Sequence, residues 1–179
     1  MNRMRDEKVK NLVISAICLA LALVLPFLTG QIPEIGKMLS PMHIPVLLCG
    51  FICGPGWGLA VGLVAPLMRS LLFGMPVLFP NAIGMMAELA CYGFAAGWLY
   101  RLLPKKPWRV YVSLIGAMIL GRIVWGIARV ILWGLGSSAF SWKLFIAGAF
   151  TNAVPGIILH IVLIPLVVLG LERSGFIKE

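Results

Sequence analysis

What limits this chain most is a succession of apolar stretches, most of them about long enough to cross a bilayer, joined by connections too short to fold by themselves. Inside a bilayer every backbone N–H and C=O must be satisfied within its own segment, so continuous apolar runs of this kind have to be helices. Hydropathy and helix-breaking residues place six spans at about 11–28, 40–54, 57–73, 81–101, 110–135 and 142–171. With 12% charged residues and a mean hydropathy of +1.02, no soluble globular class fits. The expected fold is an all-α membrane protein, a six-transmembrane-helix bundle forming a single transmembrane domain over residues 1–179.

The net charge of +9 would suggest nucleic acid in a soluble protein. Here the basic residues are grouped instead: Arg3, Arg5, Lys8 and Lys10 precede the first span, Arg101, Lys105, Lys106 and Arg109 fill one loop, and Arg173 and Lys178 follow the last span. By the positive-inside rule these places are cytoplasmic, so both termini face the cytosol and the number of crossings is even. The first span is expected to remain as a helix and not to be a cleaved signal, because 11–28 is long for a signal core and Thr29-Gly30-Gln31 is a poor cleavage site. Ser40 reads as an N-cap with Pro41 at the first helical position, Pro55-Gly56 as a tight turn, and Gly74–Pro80 as an apolar external loop. Pro155 and Pro165 should kink or interrupt the last span.

Four ionisable residues lie inside these apolar spans: Arg69, Glu88, Arg122 and Arg129. A charge at bilayer depth costs from about 2.5 to well over 10 kcal/mol, so each marks a candidate site. Arg122, Trp125, Arg129 and Trp133 follow one another at helical spacing, a stripe of guanidinium and indole groups that could grip an anion and stack a ring. The competing reading is that Arg129 and Trp133 only anchor the outer interface. Glu88 needs a partner, and Arg122 and Arg69 are the candidates. Either pairing leaves guanidinium groups in excess in the outer half of the bundle, which favours a substrate with a carboxylate or phosphate. Asn81, Tyr92, Thr151 and Asn152 extend this polar set. His43 and His160 read as packing residues, with His160 toward the cytoplasmic side.

Glycines at 50, 54, 58 and 62, and at 93 and 97, recur every fourth residue and suit close helix crossings in lipid. Ala16 and Ala20 share that spacing, and serve either packing or the docking of another membrane subunit. The cysteines Cys18, Cys49, Cys53 and Cys91 lie in apolar segments, where a thiol is a small hydrophobe. No metalloprotease, nucleophile-elbow, P-loop or dinucleotide motif is present. Neither a cofactor nor a metal is expected. The alternatives to a substrate-binding protein are a stand-alone facilitator, or an intramembrane enzyme pairing Glu88 with a histidine.

The run from Ser40 onward, SPMHIPVLLCGFICGPGWGLAVGLVAPLMRSLLFGMP followed by LFPNAIGMMAELACYGFAAGWLY, resembles the S components of energy-coupling factor (ECF) vitamin transporters, and most the branch that includes pantothenate and related vitamin-binding members. The resemblance implies a multi-pass subunit of a prokaryotic plasma membrane that captures a vitamin from outside. It implies as partners a T component and two ATPase subunits, with Ala16 and Ala20 matching the motif by which such subunits dock. The family's sites lie near the external face, and the loops expected to close over the ligand are here Thr29–Leu39 and Gly74–Pro80. Burial and chemistry give as substrate-binding candidates Arg69, Asn81, Glu88, Tyr92, Arg122, Trp125, Arg129, Trp133 and Asn152.

Overall fold

The computed structural model of the protein describes residues 2–28, 39–134 and 154–177. Among these residues every regular element is helical: α1 (Asn2–Leu28), α2 (His43–Cys53), α3 (Pro55–Phe73), α4 (Ile83–Leu102), α5 (Trp108–Gly134) and α6 (Val154–Arg173). A wide helical turn, Leu78–Ala82, leads into α4, and Phe79 within it is extended. Five helices are long and apolar enough to cross a membrane, that turn being counted with α4. The remaining one, α2, is about 16 Å long at a rise of 1.5 Å per residue, roughly half the hydrocarbon thickness.

Two of the expected boundaries move. Ser40 does not cap α2 with its hydroxyl: it has φ 47°, and its carbonyl accepts from the His43 amide at 3.0 Å, so the helix begins after that turn, at His43. The break between α2 and α3 is Gly54 alone, and not Pro55-Gly56. Its φ of 100° is open only to glycine at low cost, and Pro55 starts α3 because its ring presets the helical φ where no donor is needed.

Helix α4 is the centre of the bundle, packed by α2, α3 and α5. The four-residue glycine spacing explains how α2 and α3 both come so close. A methyl group built at Gly50 or Gly58 would overlap the Gly93 carbonyl, one at Gly62 the Leu89 carbonyl, and one at Gly97 the Gly50 carbonyl. These crossings place backbone on backbone, the arrangement that small residues permit in lipid.

Two apolar cores flank this crossing. On one side Cys18, Ala22, Val46, Cys49, Val61, Ala65 and Leu89 join α1 to α4. On the other, Leu47, Phe51, Ala96, Leu114, Ile164 and Val168 join α2, α4, α5 and α6. Three of the cysteines are buried in the first core, where Ser15 Oγ lies 3.4 Å from Cys49 Sγ, as expected of small hydrophobes at a helix contact.

Polar contacts tie the two ends of the bundle differently. At one end Arg109 donates to Glu172 at 2.7 Å and to the Tyr100 hydroxyl at 3.0 Å, and Tyr100 donates to Glu172. Arg101 donates to the Cys53 carbonyl at 3.2 Å, and Lys10 to the Phe176 carbonyl at 2.7 Å. The basic groups of the sequence thus gather at a single end, together with the start of α1 and the end of α6.

Candidate functional site

At the opposite end, above the second core, a ring of polar side chains closes around Glu88. The α4 helix carries Glu88 and Tyr92 one turn apart on its inner face, both at 2% exposure. From α5, the Arg122 guanidinium approaches Glu88 Oε1 to 3.1 Å. From the first residue of α2, His43 Nε2 lies 3.6 Å from the same oxygen. The His43 ring meets Tyr92 edge to face at 5.2 Å and stacks with His160 of α6 at 6.0 Å. His160 in turn is hydrogen-bonded to the Ser40 backbone, so the turn before α2 is joined to α6.

The stripe on α5 extends this ring. Trp125 lies between two guanidinium groups, with Arg122 Cζ at 5.8 Å and Arg129 Cζ at 5.3 Å from its ring. Cation–π contact of this kind holds the two guanidinium forks in place. Arg129 is half-buried and packs across the first turn of α4: a methyl built at Gly84 would lie 3.7 Å from its Nε. The side chain therefore crosses toward α4 and does not simply extend along α5 into the interface. Glu88 also acts on Arg129 through its charge. Among the described residues Glu88 is the acidic group beside these two guanidinium groups.

Each residue expected from the sequence can now be placed. Glu88, Tyr92, Arg122, Trp125 and Arg129 come together, and Asn81 is half-buried in the turn that leads into α4. The Trp133 side chain, Thr151 and Asn152 lie outside the described residues, as does all but the end of the Thr29–Leu39 loop.

Arg69 does not join the group, nor does it pair with Glu88. Pro26 lacks the N–H that the Ala22 carbonyl would accept, and in this disturbed turn of α1 the Leu23 carbonyl receives Arg69 Nη1 at 2.7 Å. The guanidinium is further covered by Phe27 at 5.2 Å and Phe73 at 5.5 Å. Its role is to join α1 to α3. Arg69 is thus no part of the cationic group at Glu88.

Two members escaped the sequence reading, His43 and His160. Each is a lone histidine on its own segment, which ordinarily signals packing. His160 was expected toward the cytoplasmic side because the last span was measured from residue 142. Its stacking on His43, at the opposite end from Glu172 and Arg109, corrects this. Ala16 and Ala20 are exposed on the outward face of α1, beside Val13, Ile17 and Val24, and so take no part in packing the bundle.

No curated protein and no solved structure matches the chain. The model of one family, described as ECF transporter, substrate-specific component, matches residues 10–168, a stretch that holds every residue of the ring and both alanines. Members of this family are substrate-binding transporter subunits and not enzymes; they imply a small-molecule substrate, with ECF T and ATPase subunits as partners. On that match, and with its apolar helices, this chain is a membrane protein belonging to the substrate-specific components of ECF transporters.

Proposed function

We propose that the protein captures a small, singly negative nutrient from outside the cell, a water-soluble vitamin or precursor such as pantothenate, for ATP-driven uptake. The observation that carries this reading is the stripe that one helix presents beside Glu88, the guanidinium groups of Arg122 and Arg129 held about the Trp125 ring. A planar guanidinium fork suits a substrate carboxylate. Asn81 and Tyr92 line the same approach, and Trp133 and Asn152 remain expected contributors.

The proposed topology is a single domain of six crossings in a prokaryotic plasma membrane, with both termini cytoplasmic. Its support is the gathering of Lys10, Arg101, Arg109 and Glu172 at one end; in the proposed orientation the Glu88 ring faces outward. The apolar Gly74–Pro80 segment lies at that same end and is proposed to close over the ligand.

Thermal-shift screening of the purified protein without ATP, against pantothenate, riboflavin, thiamine, biotin, pyridoxine and its phosphate, folate and cobalamin, tests the reading. One acid should stabilise it, and no hit at all would count against capture. Arg122→Ala should then weaken that acid by about 1.5 to 3 kcal/mol, the loss of a charge-assisted contact. Unchanged affinity would remove Arg122 from the site.

The exposed alanine pair supports docking on the T component through α1. Ala16→Trp is expected to leave ligand affinity unchanged while abolishing co-purification with the T component. Retained co-purification would assign that face to lipid.

A further inference from the structure

The Glu88 ring has an uncharged side that the anion does not use. His43 is 6% exposed and His160 4%, so both are more than nine-tenths buried. His43 Nε2 faces Glu88 Oε1 at 3.6 Å, an oxygen that Arg122 also approaches to 3.1 Å, while His43 Nδ1 and His160 Nε2 have no hydrogen-bond partner among the described residues. A buried polar atom without a partner is costly. Native proteins keep few of them, and here two lie on two stacked rings beside a proposed ligand site.

A neutral imidazole presents one N–H donor and one lone-pair acceptor. A carboxylate satisfies donors only, so it leaves the acceptor nitrogen unmet. An amide, a hydroxyl or a ring carrying both N–H and N satisfies both kinds of atom. Among the described residues no group of three or more His, Cys, Asp or Glu is placed to hold a metal ion. The imidazoles of α2 and α6 and the α5 stripe meet at Glu88, whose Oε1 faces both His43 and Arg122, which sets two recognition points about one carboxylate.

We infer that His43 and His160 form a second recognition point that reads an uncharged donor–acceptor group of the substrate, so that the ligand is a bifunctional acid: a carboxylate toward Arg122 and Arg129, and an amide, hydroxyl or heteroaromatic ring toward the histidines. This rests on the capture reading above and narrows it. Plain aliphatic acids are rejected because they bury the imidazoles unmatched. Acids of equal charge are sorted by the group at their far end.

The experiment compares affinities of purified protein for pantothenate, nicotinate and biotin with those for heptanoate, which has the charge but no second polar group. At least one of the first three should bind about ten- to a hundredfold more tightly than heptanoate. His43→Phe and His160→Phe, which keep ring size but remove the nitrogens, should each weaken that acid and tighten heptanoate, so that the gap between them narrows from both sides. His43→Gln, which keeps a donor and an acceptor, should recover most of the loss. Equal binding of heptanoate and the bifunctional acids by the unaltered protein overturns the inference without any variant, and so does full affinity in both phenylalanine variants. In either case anion capture through Arg122 still stands. Failure of every acid, heptanoate included, overturns the capture reading and this one with it.

Discussion

Replacing Glu88 by Ala is expected to destabilise the purified protein by about 3 kcal/mol, the low end for removing one partner of a buried ion pair. The low end applies because Arg122 keeps 20% of its side chain exposed and can recover some solvation, whereas Glu88 is at 3%. The damage comes from what is left behind: Arg122 and Arg129 then face each other about Trp125 with no carboxylate between them. The double variant Glu88→Gln, Arg122→Gln should recover most of the stability, since neither charge is then stranded. It should still fail to bind an acid. Melting curves in detergent check both statements, and a Glu88→Ala protein as stable as the unaltered one would mean that the pair holds nothing together.

An effect of similar size is expected at the helix crossing. Gly93→Val should cost about 3 kcal/mol or more, the upper end for overpacking. A side chain there runs into the Gly58 backbone of α3 and into the closest approach of α2 at Gly50, and neither neighbour is a flexible side chain that could move aside. Helices α2 and α3 would have to lift off α4, and with them His43, which stands at the start of α2. Gly56→Ala and Gly170→Ala serve as controls, because a methyl group at either position meets nothing within 4 Å. If Gly93→Val melts with the controls, the crossing is looser than its geometry requires.

Much of the fold follows from the sequence because hydropathy and glycine spacing act locally. The helices start and stop within a few residues of the breaks expected at Pro55-Gly56 and Gly74–Pro80, and the four-residue glycine rows foretell the α2–α3–α4 crossing. The Arg122–Trp125–Arg129 stripe was legible for the same reason, since one helix fixes its geometry. What the sequence hid depends on contacts between segments. Arg69 looks like a stranded charge until the turn at Pro26 offers it the Leu23 carbonyl, a group that charge counting does not see. His43 and His160 are far apart in the chain, and only the packing of α2 against α6 puts one ring on the other. Glu88 was visible as a carboxylate needing a partner, but the choice of Arg122 over Arg69 required the bundle.

The central claim is that the guanidinium groups beside Glu88 receive a substrate carboxylate. Its most direct test is the affinity of the nanodisc-embedded protein, without its partners, for matched acid and neutral pairs: pantothenate with its alcohol panthenol, nicotinate with nicotinamide, and biotin with biotinamide. The account predicts that the preferred acid binds at least about tenfold more tightly than its neutral twin, and that Arg122→Ala removes this preference while retaining weak binding of both. A neutral twin that binds as tightly as its acid, with Arg122→Ala changing neither, would contradict it.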